Sequence, residues 1–368
     1  MKKIKVLVVD DSAFMRKLIV EFLTEDSRLE VVGSARNGKD AISKIQSLQP
    51  DVVTLDVEMP VMNGLEALEE IMNDCPTPVV MLSSTTKEGA ENTLMAMQNG
   101  AFDFIAKPSG AISLDLYKVK QEIIDKVVAA SRANVHKLQK NAGEIQRNLS
   151  VCNKYSKIEP EVSVASSYIV RDRAYRSKKI VLIGTSTGGP RALQTVLTNL
   201  PQSINAPILV VQHMPPGFTK SLAERLDSLC HIHVKEAEDG ELIQKGTAYI
   251  APGGFHLKVR KIGTGLAIVL EQSEPRNGHR PSVDVMFESV ANELIDFTKT
   301  TVIMTGMGSD GANGLIELKR KGQVNAIAES QETSIVFGMP KAAIATHLID
   351  TVKNVENIAK TIVKYCES

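Results

Sequence analysis

At 368 residues the chain is too long for one ordinary hydrophobic core, and roughly 150 residues per domain predicts two domains and a remainder. Its 43 Lys+Arg balance 43 Asp+Glu, and this zero net charge excludes a globally basic nucleic-acid binder, while 43% hydrophobic and 23% charged residues exclude a wholly disordered or collagen-like chain. No apolar run approaches the roughly 18 residues of a membrane span. The start, MKKIKVLVVDD, reads as a strand rather than a signal peptide, so a cytoplasmic chain without membrane insertion is expected. Cys75, Cys152, Cys230 and Cys366 are scattered without CxxC spacing, which argues against a zinc site or a disulfide framework.

The charge is unevenly spread: residues 1–125 carry −7, 126–178 carry +7, and 179–368 carry none. Over 1–125, the short Val/Ile/Leu-rich runs IKVLVVD, LEVVGSAR, DVVTLD, PVVMLSS and FDFIAKP alternate with helical stretches such as RKLIVEFL and GLEALEEIM. Five βα units predict a parallel sheet covered on both faces, with functional groups at the carboxyl ends of the strands. Those ends carry Asp10 and Asp11, Asp56, Ser83 and Lys107. Three carboxylates on one rim repel each other and suit a hard divalent cation, and a lysine beside a hydroxyl suits a phosphoryl group. Taken singly, each would be read as a helix cap or a surface charge.

This arrangement resembles the receiver domain of two-component response regulators, a flavodoxin-like five-stranded parallel sheet. The resemblance implies that Asp56 accepts a phosphoryl group from a histidine kinase while Asp10, Asp11, Asp56 and the backbone carbonyl of Glu58 hold Mg²⁺. It also implies that Ser83 and Lys107 contact the phosphoryl oxygens and that Phe104 is the aromatic switch residue. A plain core aromatic is the competing reading of Phe104. After about Leu138 apolar periodicity fades, and 126–178 reads as a basic interdomain linker whose first part extends a helix.

Residues 179–368 open with KKIVLIGTSTGGPRALQTVLTNL, a strand, a small-residue turn and an amphipathic helix that Pro190 starts. Gly184 to Gly188 fit G-x-S-x-G, in which glycines allow the tight bend and leave Ser186 exposed as a nucleophile. The competing phosphate-binding turn would call for G-x-G-x-x-G or a G-K-[ST] ending, and neither is present. APILVVQHMPPGFTKSLAERL is a strand ending on His213, placed as general base, and TTVIMTGMGSDGANG is a strand leading to Asp310. Serine, histidine and aspartate have triad chemistry, yet their chain order differs from that of α/β-hydrolases and requires a different doubly wound sheet.

With GTSTGGP, VQHMPPGFT, APGGFHL, NGHRPSVDVMFESVA, TGMGSDGA and QETSIVFGMPKAA, the catalytic region 179–368 resembles, across about residues 179–365, the CheB family of protein-glutamate methylesterases, a Rossmann-like doubly wound α/β domain. The resemblance implies Ser186, His213 and Asp310 as catalytic triad, with Thr187 and the Met307 N–H at the oxyanion hole and no cofactor at the hydrolase site. It implies methyl-accepting chemoreceptors as substrate, the chemotaxis histidine kinase CheA as phosphodonor, deamidation of selected glutamines, a monomeric state, and inhibition by the unphosphorylated receiver. His256 and Arg280 are read as lining a substrate groove or as capping groups, and Met214, Met286, Met307 and Met339 as core or as an apolar rim. The different-class alternatives are a DNA-binding regulator, disfavoured by the neutral βα output region, and a phosphorylation-gated adaptor that binds receptors without catalysis.

Overall fold

A computed structural model of the chain describes residues 2–107, 114–139 and 178–367. The first sheet is parallel, ordered β2-β1-β3-β4-β5, with β1 Ile4–Val9, β2 Leu29–Ala35, β3 Val52–Asp56, β4 Val79–Ser83 and β5 Asp103–Ala106. Helices α1 Ala13–Thr24, α2 Gly38–Leu48, α3 Gly64–Asp74, α4 Lys87–Gln98 and α5 Leu114–Ala130 cover it. Strands β3 and β4 are buried along their whole length, as their unbroken apolar runs require for a sheet covered on both faces. Helices α1 to α4 start where a polar side chain takes free N–H groups: Ser12, Asn37, Asn63 and Thr86 cap them in turn.

The folded part of this domain extends past the boundary drawn at residue 125. Helix α5 runs on to Ala130 because Val127, Val128 and Ala130 face the core, and Leu138, in a helical turn at 135–139, is fully buried there too. The rest of the expected linker, 140–177, lies outside the described residues.

The second sheet has seven parallel strands, ordered β14-β13-β12-β6-β7-β9-β8. They are β6 Lys179–Thr185, β7 Ile208–Gln212, β8 His233–Glu236, β9 Thr247–Ile250, β12 Thr298–Ile303, β13 Val324–Glu329 and β14 Thr351–Lys353. Helices α6 Gly189–Leu197, α7 Phe218–Asp227, α8 Val283–Glu293, α9 Ala312–Lys321, α10 Met339–Ala345 and α11 Val355–Glu367 pack around it. An antiparallel hairpin, β10 His256–Ile262 and β11 Gly265–Glu271, interrupts the βα rhythm that the sequence predicts. Its turn contains Gly263 at φ 57°, in the left-handed region. The chain leaves β6 toward β7 on one side and returns to β12 on the other, which makes the carboxyl end of β6 a topological switch point and so a natural place for a site. No helix among the described residues is long and apolar enough to cross a membrane.

Candidate active site

Ser186, His213 and Asp310 follow three adjacent strands, β6, β7 and β12, so the sheet brings together the three residues that the sequence singles out. The turn at Ser186 is held from below. Its N–H donates to Thr305 O (3.0 Å), and its carbonyl accepts from Gly189 N (2.7 Å) and Gln212 Nε2 (3.0 Å). A Cβ on Gly189 would lie 1.9 Å from Gln212 Oε1, and one on Gly306 would lie 2.7 Å from Ser186 Cβ. Both glycines are therefore required by close approach, one beneath the turn and the other beside the serine.

His213 Nε2 lies 2.8 Å from Asp310 Oδ2, and both side chains are buried. Asp310 also accepts from Val283 N (2.7 Å), Asp284 N (3.0 Å) and Ser282 Oγ (2.9 Å). Burial alone would raise its pKa, but the bond to His213, that ring's charge and the N–H groups of Asp284 and Val283 bring it to about 2. The ring's other nitrogen, Nδ1, is buried without a hydrogen-bond partner. On one face of the ring lies His279, parallel at 11° with centroids 3.9 Å apart. Burial, then the neighbouring His213, pushes the His279 pKa down to about 4, so this second imidazole is neutral at pH 7. Among the described residues the N–H of Met307, the residue expected at the oxyanion hole, makes no hydrogen bond.

Sequence reasoning passes over His279, Ser282 and Asp284, although all three stand in the quoted block NGHRPSVD. Ser282 caps α8, and Asp284 accepts from Gly311 N (2.9 Å) and Gly314 N (2.7 Å), which ties α8 to the aspartate loop and to the start of α9. The groove reading of His256 is corrected: it is fully buried with Nε2 3.1 Å from Glu274 O, because the first residue of β10 faces inward. Arg280 braces the chain after the hairpin through Gln272 O (3.3 Å) and Ser273 O (2.8 Å). Met214, Met286 and Met339 are core, and Met307 is half-exposed.

Nothing in the sequence marks Glu329 either. It is buried at the end of β13, where it accepts from Thr305 N (2.7 Å) and Thr333 Oγ1 (2.9 Å), and Thr305 in turn carries the Ser186 N–H. Burial pushes its pKa up to about 7 from 4.5, against the pull of both hydrogen bonds. Between these two values the folded chain keeps a proton that the unfolded chain releases, so rising pH costs stability, on the order of 3 kcal/mol by pH 8. A Glu329→Gln amide reproduces the neutral acid, with its oxygen toward Thr305 N and its NH₂ toward Thr333 Oγ1. The thermal midpoint difference between variant and wild type is expected to be small near pH 4.5 and to grow in the variant's favour up to pH 8. A difference that stays constant with pH would remove Glu329 from this role.

In the receiver, Lys107 Nζ lies 2.7 Å from Asp56 Oδ2 and 2.9 Å from Asp10 Oδ2. Oxygens of Asp10, Asp11 and Asp56 lie within 4.8 Å of one another, and Lys107 is the cation that meets both Asp10 and Asp56. Burial raises the Asp56 pKa to about 6 against the pull of Lys107. The Glu58 N–H reaches Asp56 Oδ1 at 3.4 Å. Ser83 departs from expectation: its hydroxyl is turned to Gly89 O (2.9 Å) and Ser84 O (3.2 Å), a backbone partnership that satisfies it inside the protein.

The two domains meet beside the serine turn. Thr187, beside Ser186, donates its hydroxyl to Asp103 Oδ2 of the receiver (2.5 Å), so that hydroxyl is engaged by the N-terminal domain. Lys126 Nζ lies 3.5 Å from the same carboxylate oxygen and donates to Phe104 O (2.5 Å). Phe104 is buried and stacks on Phe218 of α7, with centroids 4.7 Å apart. It is therefore an interface aromatic as much as a core residue. Arg191 donates to Met97 O and Ala101 O, Gln98 Nε2 meets Gln194 Oε1 at 2.9 Å, and Lys137 Nζ reaches Gln331 O at 2.8 Å.

A family model described as CheB methylesterase matches residues 181–362, and one described as response regulator receiver domain matches 6–116. The chain is 58% identical over 364 residues to the protein-glutamate methylesterase/protein-glutamine glutaminase of Geobacillus kaustophilus (strain HTA426), covering 99% of each chain. It is 51% identical to that of Bacillus subtilis (strain 168), covering 98% of this chain and 97% of the relative. The crystal structure of the Thermotoga maritima CheB methylesterase catalytic domain is 46% identical over 51% of this chain and 99% of its own, with a TM-score of 0.49. Matched end to end at such identity, the chain belongs to the CheB methylesterase family, with a response regulator receiver domain ahead of its catalytic domain.

Proposed function

We propose that the chain is a phosphorylation-activated hydrolase that removes methyl groups from glutamate γ-esters, and ammonia from selected glutamines, on chemoreceptors. The observation that carries the reading is the His213–Asp310 pair, held by donors on all sides one strand from Ser186. Asp310 fixes Nε2 as the protonated nitrogen, which leaves Nδ1 as the base. Nδ1 takes the Ser186 proton as the hydroxyl attacks the γ-carbonyl, and the Met307 N–H meets the oxyanion, one such donor being worth about 3–4 kcal/mol on the barrier. The protonated imidazole gives its proton to the departing methoxide oxygen as the ester C–O bond breaks, so that methanol leaves and the acyl group stays on Ser186. Water, deprotonated by the same nitrogen, then releases the glutamate carboxylate and restores Ser186. A primary amide passes through the same tetrahedral oxyanion, with ammonia as leaving group. A non-catalytic adaptor would have no use for an aspartate so fully engaged.

Asp56 is the phosphoryl acceptor in this reading, and the kinase CheA its donor. Three carboxylates clustered with a single lysine among them suit a hard cation, so Asp10, Asp11 and Asp56, with the Glu58 carbonyl, would hold Mg²⁺. The ion supplies charge neutralisation for the phosphoryl group. Lys107 contacts the phosphoryl oxygens, and Ser83 joins it by leaving Gly89 O. That hydroxyl's exchange of partners loosens the start of α4, and the closed interface shifts toward an open population.

Methanol release from a helical peptide carrying glutamate γ-methyl ester tests the chemistry; none with or without acetyl phosphate and Mg²⁺ would end it. For the gating, Asp103→Ala removes the Thr187 contact, a charge-assisted bond worth roughly 1.5 kcal/mol or more, so basal turnover is expected to rise about tenfold or more. The phosphorylated rate should stay within twofold. Basal turnover at the wild-type level in Asp103→Ala would show that this contact does not hold the enzyme closed.

A further inference from the structure

The receiver helix α4 lies in a shallow groove between α6 and α7 of the catalytic domain. Leu94 and Met97 fill it from the receiver, against Pro190, Leu222 and Leu226. Its edges are cationic. Arg191, in the first turn of α6, is 3% exposed, and its Nη1 is buried with no partner. Its other contacts are neutral backbone oxygens, Met97 O and Ala101 O (2.7 Å). Arg225 of α7 reaches the amide oxygen of Gln98 at 3.4 Å. Among the described residues neither guanidinium is paired with a carboxylate. Burying an arginine without an acid is costly, and burial draws the Arg191 pKa down to about 10. The groove thus fits α4 in shape but not in charge.

We propose that the α6–α7 groove is the seat of the substrate helix, and that receiver helix α4 occupies it as a stand-in when the enzyme is closed. This rests on the reading that the substrate is a methylated glutamate on a helix. An apolar seat flanked by two arginines accepts an amphipathic helix whose carboxylates recur at i+3 or i+4 from the methyl ester. Pro190 and Arg191, which line the seat, stand in the first turn of α6 directly after the Ser186 turn, so one end of the seat adjoins the nucleophile. Arg191 and Arg225 take unmethylated glutamates as bidentate partners, which α4 does not supply. Receiver and substrate then compete for one surface, and an acidic helix itself favours the open, phosphorylated form.

The test uses the full chain with acetyl phosphate and Mg²⁺, and two helical peptides with one γ-methyl glutamate, flanked on the same face by glutamates or by glutamines. Wild type is expected to prefer the glutamate-flanked peptide about tenfold in kcat/KM, through KM, with the preference collapsing at high salt. Arg191→Gln and Arg225→Gln should each erode that ratio toward one, while Arg191→Lys keeps most of it. A wild-type ratio near one, or a ratio that survives both glutamine variants, would overturn the seat. The wild-type salt titration needs no variant, so a variant that fails to fold leaves the proposal open to refutation. Methanol from both peptides without preference sinks the seat alone, whereas methanol from neither sinks the methylesterase reading.

Discussion

Replacing Ser186 with alanine is expected to reduce methanol release roughly 10⁶-fold, to the background left by the oxyanion hole and substrate binding, since a triad acts as a unit. The turn should survive the change. Its three stabilising bonds use the Ser186 N–H and carbonyl, not the hydroxyl, and alanine keeps both. Phosphorylation of Asp56 should continue at the wild-type rate, because the receiver carboxylates, Lys107 and Ser83 do not touch the serine. The paired assay, methanol release against phosphoryl incorporation, therefore separates loss of chemistry from loss of fold. If Ser186→Ala kept more than about one-hundredth of the wild-type rate, far above that background, another nucleophile would have to be sought.

Much of this site is legible in the sequence because parallel strands advertise themselves. Runs such as VVTLD and ILVVQ are buried along their whole length, so they read as mainly apolar stretches, and the polar residues that close or directly follow them stand at the carboxyl ends of strands. Asp56 and His213 are found this way. Strand order is another matter. That β12 lies beside β6, which sets Asp310 next to His213, depends on pairing between segments more than a hundred residues apart, and only the triad chemistry hints at it.

The donors around Asp310 come from a third segment, and nothing local in NGHRPSVD marks Ser282 and Asp284 as supports rather than a helix cap. The interface is the least legible part. Phe104 looks like a core aromatic, and the partner that makes it an interface residue, Phe218, is a core-like residue of another domain. The rotamer of Ser83 depends on which acceptor it meets, and composition does not encode that choice. The hairpin does carry a short-range signal, KVRKI and LAIVL on either side of a Gly-Thr turn, but the βα repeat around it points the other way.

The second large effect is expected at Asp310, where asparagine is isosteric yet wrong. All the groups on this carboxylate are donors or are used as donors: His213 Nε2 and Val283 N on Oδ2, Ser282 Oγ and Asp284 N on Oδ1. An asparagine NH₂ must face one of the two backbone N–H groups whichever way it turns, and one oxygen cannot serve both sides. If the amide turns its oxygen to His213, Asp284 N meets an N–H. If it turns the other way, Nε2 faces a donor and becomes the acceptor, so the proton moves to Nδ1 and the base is lost.

Asp310→Asn is accordingly expected to lower kcat about 10⁴-fold near neutral pH, the scale of a wrong-tautomer triad. It should also destabilise the catalytic domain by roughly 1–3 kcal/mol, the cost of an unmet buried donor. Turnover and thermal unfolding of the same preparation read the two effects separately. Asp310→Ala discriminates further: without an NH₂ it leaves the same donors unmet but does not force the tautomer, so it should fall short of the asparagine variant in catalytic damage while matching or exceeding it in lost stability. If Asp310→Asn turned over within tenfold of wild type, the His213 tautomer would not be set by Asp310, and the assignment of Nδ1 as base would fail with it.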